Sequence, residues 1–160
     1  MADKEFMYQG QPVKAAGVLL YKYKKGRLYF LLSYNRGHFE DLGGHVDKGD
    51  EAIPVTMGRE ASEESNGLIT KSSVIKRILN KKAKIVYSPV SKYLIAVMPA
   101  TLYEAELTKH DFGEYEIHDN VKRTIDWISA QDFFKQTFPK NWRLRVGKDK
   151  LTPPKETEFY

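Results

Sequence analysis

The 160-residue sequence contains no cysteine and has no long apolar run. The absence of cysteine excludes disulfide bonds, thiolate zinc sites and cysteine nucleophiles, and it fits a reducing compartment. No stretch approaches the roughly 20 apolar residues that a membrane-spanning helix requires. Residues 1–9 mix charged and apolar side chains and lack the apolar stretch of a signal peptide. We therefore expect a cytoplasmic protein that does not contact a membrane.

The composition is that of an ordinary globular domain, with 41% hydrophobic and 29% charged residues. A chain of this length buries roughly 70% of its unfolded surface on folding, which is enough for a stable core without disulfide bonds or a structural metal. The 26 Lys and Arg residues exceed the 21 Asp and Glu residues, and the net charge of +5 permits a polyanionic partner without requiring one. We expect one domain over residues 1–160, with a flexible tail from about residue 152.

The pattern of apolar and charged residues predicts an α+β fold. Runs rich in Val, Ile, Leu, Tyr and Phe predict strands at 13–23, 27–34, 84–87, 92–98, 101–107 and 124–128. The turn at residues 24–26 joins the first two runs into a hairpin. Helices are predicted at 54–66, 73–79 and 129–138, and a capping pattern of Ser129 with Asp132 starts the last, which Pro139 ends. This order favours a mixed or antiparallel sheet with helices packed on it.

The helix predicted at 54–66 carries three glutamates, Glu60, Glu63 and Glu64, on one face. Like charges this close repel and raise one another's pKa unless a cation lies among them. Magnesium meets that need, since it prefers carboxylate, carbonyl and water oxygens and shares its remaining positions with substrate phosphates. Three glutamates alone are also typical of a solvated helix face, so the loop before the helix decides between the two interpretations.

That loop contains Gly43, Gly44 and Gly49, which allow tight turns and leave backbone groups open to a phosphate or metal. Loop and helix together, GGHVDKGDEAIPVTMGREASEESNGL at residues 43–68, resemble the Nudix box, G-x5-E-x7-R-E-U-x-E-E-x-G-U. The loop has one residue more than the box, so either Asp50 or Glu51 takes its first acidic position. Asn66 is a second extra residue, directly before the final glycine.

The resemblance to the Nudix hydrolases implies a Nudix-type α/β/α sandwich with a mixed sheet, and hydrolysis of a diphosphate linkage in a nucleoside diphosphate linked to another group. It implies Mg²⁺ or Mn²⁺ held by Gly44, Glu60, Glu63 and Glu64, with Glu63 and Glu64 also catalytic. Arg59 matches the arginine that orients these carboxylates. A further catalytic carboxylate often comes from a later segment in this family, and here Glu116 is favoured over Glu114.

Residues outside the box suggest what the substrate is. The loop residues Arg36, His38 and Phe39 lead into the glycine pair and are candidates for contact with the group attached to the diphosphate, although Phe39 fits a core position equally well. Lys76 and Arg77 belong to a basic run at 70–84 without any acidic residue, which suits a long polyanion or simply a solvated surface.

The sequence favours capped RNA as the substrate. A diphosphoinositol polyphosphate and a free nucleotide remain open, as does a module that binds nucleotide or RNA without cutting it.

Overall fold

The computed structural model describes residues 5–136, 138 and 142–154. Most of the tail predicted from about residue 152, together with Pro139, therefore lies outside the described residues. None of the helices in the described part of the chain has the length and apolar character needed to cross a bilayer.

A mixed sheet forms the centre of the fold. The strands in chain order are β1 (Phe6–Tyr8), β2 (Gln11–Val13), β3 (Ala15–Lys24), β4 (Arg27–Asn35), β5 (His38–Glu40), β6 (Leu42–His45), β7 (Lys84–Ser88), β8 (Tyr93–Pro99), β9 (Tyr115–Glu116), β10 (Val121–Lys122) and β11 (Thr124–Ser129). The main sheet has the order β11-β4-β3-β8-β7, with β5 paired to β4 and β6 paired to β3. Only the β3–β8 pair in it is parallel.

Six helices occur within the described residues: α1 (Ile53–Glu64), α2 (Lys71–Leu79), α3 (Leu102–Ala105), α4 (Lys109–Phe112), α5 (Ala130–Lys135) and α6 (Lys148–Leu151). Both faces of the sheet are covered. On one face Met57 and Ala61 of α1 and Val74 of α2 form a core with β3 and β8. On the other face Phe133 of α5 and Leu151 of α6 form a second core with the same strands.

This arrangement confirms the predicted α/β/α sandwich with a mixed sheet. Since both cores share one sheet, we propose that the chain makes a single domain. The predicted hairpin, the strands predicted at 84–87, 92–98 and 124–128 and the helix after Ser129 are confirmed to within a few residues, and the Ser129 side chain accepts the Asp132 amide as its cap. The helix ends at Lys135 and not at Phe138.

The strand predicted at 101–107 is wrong, because this segment forms helix α3. Thr101 accepts the backbone N–H of Glu104, and the Glu104 side chain accepts the backbone N–H of Thr101. This reciprocal capping box satisfies amides that a strand would have paired along a ladder. The loop predicted before α1 also contains more order than expected, since β5 and β6 lie inside it.

Candidate active site

Arg59 is the centre of the box. Its Nε and Nη2 donate to the two oxygens of Asp50 at 3.0 and 3.1 Å, and Nη2 also donates to the His45 carbonyl at 2.9 Å. Its Nη1 donates to Glu60 at 3.0 Å and to Glu63 at 3.2 Å. The predicted ion pairing of Arg59 with the box carboxylates is therefore present, and these anions raise the pKa of the guanidinium.

Of the two candidates for the first acidic position of the box, Asp50 and not Glu51 contacts Arg59. Its side chain is 2% exposed and also accepts the Thr56 hydroxyl at 2.8 Å and the Asp47 amide at 2.9 Å, whereas Glu51 is exposed. Burial opposes ionisation of Asp50, but the hydrogen bonds from Arg59, Asp47 and Thr56 outweigh it and lower the pKa. The extra loop residue thus leaves the Arg59 contact intact and turns Glu51 to solvent.

The glycine pair in β6 lies directly against the glutamates of α1. The Gly43 N–H donates to Glu64 Oε2 at 3.1 Å. A Cβ atom on Gly44 would lie 2.6 Å from Glu60 Oε1, so any larger residue here would require the Glu60 carboxylate to shift. Gly44 is therefore placed beside Glu60, as the predicted site requires.

The carboxylates of the site perturb one another. Burial raises the pKa of Glu60, and the charges of Glu63 and Glu116 raise it further against the lowering effect of Arg59. Burial also raises the pKa of Glu64 well above its usual value, with contributions from Glu60, Asp41 and Glu116. Crowded anions in a protected site carry a cost that a bound cation would offset.

Glu116 reaches this cluster from the β9–β10 hairpin. It is 7% exposed, and burial together with Asp119 and Glu63 raises its pKa although Arg123 and His118 act in the opposite direction. On the same hairpin His118 Nε2 lies 3.6 Å from Glu63 Oε1. Glu114 is exposed, so the fold brings Glu116 and not Glu114 into the protected carboxylate cluster.

The donor set fits a hard divalent cation, because carboxylates and a glycine carbonyl supply only oxygen ligands. Among the described residues, however, no three His, Asp or Glu side chains are grouped closely enough to hold an ion as they stand. The reason is local: a single Arg59 nitrogen holds Glu60 and Glu63, while Glu64 accepts from Gly43. Side-chain rotation within the cluster would be needed for the ligands to converge.

A cleft of about 400 Å³ opens beside Gly44. It is lined by Ala15, His38, Glu40, Gly44, His45, Ser91, Tyr93, Trp142 and Arg143. The rings of His38 and Trp142 meet edge to face with their centroids 5.6 Å apart. Within the described residues the buried indole N–H of Trp142 has no hydrogen-bond partner. The cleft thus joins the box to aromatic and basic side chains that a nucleotide could contact.

Two of the residues that line this cleft, Tyr93 and Arg143, form a polar triad with the buried Asp41. The Asp41 carboxylate accepts the Tyr93 hydroxyl and Arg143 Nε, each at 2.7 Å, and the Arg143 guanidinium lies 4.7 Å from the centre of the Tyr93 ring. Burial raises the pKa of Asp41, while Arg143 and Tyr93 oppose that rise. The Tyr93 hydroxyl also lies where a Gly43 side chain would be, which explains the small residue there.

The other predicted substrate residues lie apart from one another. Phe39 contacts Tyr34, with ring centroids 4.9 Å apart, and lines a separate cavity of about 250 Å³. Arg36 is exposed in the β4–β5 turn. Of the three loop candidates, only His38 lies in the cleft beside Gly44, and the substrate roles of all three remain predictions.

Lys76 and Arg77 differ although they are neighbours on α2. Lys76 is exposed. Arg77 donates to both oxygens of the buried Glu104 at 2.7 Å and to the Pro99 carbonyl at 2.9 Å. The predicted phosphate contact of Arg77 does not fit this geometry, because its guanidinium is committed to anchoring α3 against α2.

The sequence did not predict the contacts among Asp41, Tyr93 and Arg143, those of Arg123, or the contact of His118 with Glu63. The first three lie far apart in the chain and meet only through the parallel β3–β8 pairing and the return of residues 142–144 to the sheet. No local motif marks them. Asn66, in contrast, was visible in the sequence as an extra residue within the box.

No protein-family model matches the chain. A bis(5'-nucleosyl)-tetraphosphatase [asymmetrical] of Caenorhabditis elegans is 40% identical over 65 residues, which is 39% of this chain. That match spans 45% of the relative's own length.

Two solved structures are also similar. A C. elegans Ap4A hydrolase binary complex has 23% identity and a TM-score of 0.44, with coverage of 77% of this chain and 84% of that chain. Shewanella oneidensis NrtR has 13% identity and a TM-score of 0.48, with coverage of 86% and 60%. The box at residues 43–68, its assembly around Arg59 and the local similarity to the tetraphosphatase support the resemblance of this chain to the Nudix hydrolases.

Proposed function

We propose that the protein is a divalent-metal-dependent pyrophosphohydrolase whose substrate is a dinucleoside 5'-polyphosphate such as Ap4A. The carrying observation is the electrostatically coupled group of Glu60, Glu63, Glu64 and Glu116, in which Glu60 lies against Gly44 at the edge of a cleft of about 400 Å³. The local similarity to a bis(5'-nucleosyl)-tetraphosphatase supports the substrate class. A module that only bound nucleotide would gain nothing from four mutually repelling carboxylates.

The reaction adds water across a phosphoanhydride. The water oxygen forms a bond to one phosphorus, the bridging P–O bond breaks, and a proton is released. Asymmetric cleavage of a dinucleoside tetraphosphate gives a nucleoside triphosphate and a nucleoside monophosphate. Bound Mg²⁺ or Mn²⁺ supplies charge neutralisation on the phosphate oxygens and a more acidic water.

The residues of the chain divide this work. Glu60, Glu63 and Glu64 with the Gly44 carbonyl would hold the cation, and Arg59, itself held by Asp50, orients the carboxylates of Glu60 and Glu63. Glu116 is the candidate to accept the proton of the attacking water, because a raised pKa brings a carboxylate closer to the operating pH of a general base. His38 and Trp142 offer aromatic surface to a nucleobase in the cleft.

A hydrolysis panel tests this function. Purified protein with Mg²⁺, with Mn²⁺ and with chelator is offered Ap4A, nucleoside triphosphates, nucleotide sugars, capped RNA and diphosphoinositol polyphosphates, and products are separated by chromatography. We expect metal-dependent release of ATP and AMP from Ap4A as the fastest reaction. Absence of turnover on every substrate with either metal would contradict the proposal. Products from ¹⁸O-labelled water would identify the attacked phosphorus.

Capped RNA remains a second candidate, favoured by one observation. A cap is itself a dinucleoside polyphosphate, and the exposed Lys76 provides positive charge on α2, the helix packed against α1. The commitment of Arg77 to Glu104 weakens this case. Faster turnover of capped RNA than of Ap4A in the panel would reverse the order of the two substrates.

A further inference from the structure

Asn66 is the second of the two extra residues of the box, and its side chain contacts another segment of the chain. Its Nδ2 donates to the carbonyls of Phe112 at 3.1 Å and Tyr115 at 2.9 Å. Its Oδ1 accepts the backbone N–H of Ile117 at 2.9 Å. Both functions of the amide are therefore used, and every partner belongs to residues 112–117.

The backbone at Asn66 explains how its side chain reaches that segment. Helix α1 ends at Glu64, Ser65 is its C-cap, and Asn66 follows with φ = +57°. Asparagine tolerates this left-handed conformation better than most residues other than glycine. Gly67 follows, also with a positive φ of 82°. The inserted residue thus ends the helix and at the same time projects an amide beyond its C-terminus.

Arg123 ties the same two segments together from the other side. It is 4% exposed, and its Nη2 donates to the Glu64 carbonyl at 2.7 Å while its Nη1 donates to the Gly113 carbonyl at 2.7 Å. The end of α1 is therefore fastened to residues 112–117 by two side chains, one neutral and one charged.

Glu116 lies between the two residues that Asn66 holds. The Tyr115 carbonyl and the Ile117 amide flank it directly in the chain, and both bond to the same Asn66 amide group. These two hydrogen bonds, one on each side of Glu116, fix the backbone orientation of that residue. Glu116 is buried, and its charge raises the pKa of Glu60 and Glu64 on α1.

We propose that Asn66 is a positioning residue that sets the Glu116 carboxylate against the glutamates of α1. The inference rests on the proposed function for its catalytic consequence, but the positioning can be measured without turnover. The insertion in the box is then a functional feature of this chain, because it couples the end of the metal-binding helix to the hairpin that supplies the additional carboxylate.

The variant Asn66→Gly tests the inference without backbone strain, since glycine adopts a positive φ freely. Gln9→Gly is the matched control: it also removes an amide side chain at a positive φ of 48°, on an exposed turn between β1 and β2. For Asn66→Gly we expect Ap4A turnover to fall about 10- to 100-fold, as for other groups that orient metal-site residues. We expect the KM to stay within about twofold, because the cleft is untouched.

A double-mutant cycle with Glu116→Gln separates positioning from general stabilisation. If Asn66 acts through Glu116, Asn66→Gly causes little further loss of turnover in the Glu116→Gln background. The inference would be overturned if the losses of turnover in the two single variants multiplied in the double variant. A change confined to the KM, or an equal loss of turnover in Gln9→Gly, would also overturn it. An unchanged turnover of Glu116→Gln would overturn it too, since Asn66 would have no catalytic group to position.

Two readouts do not require catalysis. Hydrogen exchange at the Ile117 amide should become faster in Asn66→Gly and stay unchanged in Gln9→Gly. Asn66→Gly and Glu116→Gln should each raise the Mn²⁺ dissociation constant, measured by titration. The double variant should bind Mn²⁺ no more weakly than the weaker of the two single variants. If the wild type hydrolyses nothing, the proposed function fails and the Mn²⁺ cycle alone decides the inference: independent losses or none contradict it.

Discussion

Two parallel hydrogen bonds join Arg59 to Asp50, from Nε to Oδ1 and from Nη2 to Oδ2, at 3.0 and 3.1 Å. This paired geometry fixes the plane of the guanidinium, so that the remaining nitrogen, Nη1, reaches Glu60 and Glu63. The buried Asp50 thereby positions two of the proposed metal ligands without being one of them.

Asp50→Asn should therefore impair both stability and activity. The substitution leaves Arg59 without its main partner in a largely protected site, and we expect the free energy of unfolding to fall by about 2 to 4 kcal/mol. Turnover should fall about tenfold or more because the glutamates lose their orientation. Denaturant unfolding and steady-state kinetics measure the two effects. Glu51→Gln is the control, and an equal loss there would refute the assignment of Asp50.

Arg59→Lys should not rescue the loss seen in Arg59→Ala. Lysine keeps the positive charge but lacks the planar fork that contacts Asp50 and Glu60 at the same time. Kinetics of the two variants with Mn²⁺ make the comparison. Wild-type turnover in Arg59→Lys would mean that charge alone matters at this position.

Removal of metal should make the wild type less stable as the pH rises. The folded-state pKa of Glu64 lies well above its usual value of 4.5, so this group stabilises the fold fully only below about pH 4.5 and loses that contribution as the pH rises through the raised pKa. In chelator, Glu64→Gln should therefore melt at a higher temperature than the wild type near pH 7. With Mn²⁺ the order should reverse, because the variant lacks a ligand. A melting temperature of Glu64→Gln below that of the wild type in chelator would contradict this account.

The two basic residues of α2 should behave differently. Arg77→Ala should cost about 3 kcal/mol of stability by leaving the buried Glu104 unpaired, a loss visible in denaturant unfolding. Lys76→Glu should leave stability unchanged and, if RNA crosses α2, raise the KM for capped RNA while sparing a free cap dinucleotide. Lys25→Glu, on the exposed β3–β4 turn, is the matched control. Equal effects of Lys76→Glu on both substrates would assign Lys76 to the solvated surface.

The sequence was sufficient to predict the box and most of the sheet, because both depend on local patterns. Glu60, Glu63 and Glu64 share a helix face through spacing alone, and the β3–β4 hairpin follows from its turn residues. The sequence was not sufficient to predict the structure of residues 101–107, where a side-chain capping box overrode the β-propensity of the segment.

Contacts between distant segments were also beyond the sequence. Whether Asp50 or Glu51 reaches Arg59 depends on the backbone path of the lengthened loop, which the spacing of the residues does not predict. The triad of Asp41, Tyr93 and Arg143 forms only when three separate segments meet under the cleft. Asn66 appeared in the sequence as a departure from a motif, and its three contacts became visible only in the fold.

The most direct test of the account is the turnover of Ap4A by Glu63→Gln and Glu64→Gln at saturating Mn²⁺, with circular dichroism to confirm that each variant is folded. Loss of about 3 kcal/mol of transition-state stabilisation predicts a fall of about a hundredfold in rate for each variant. Folded variants with near wild-type turnover would contradict the claim that the glutamates of α1 form the active site.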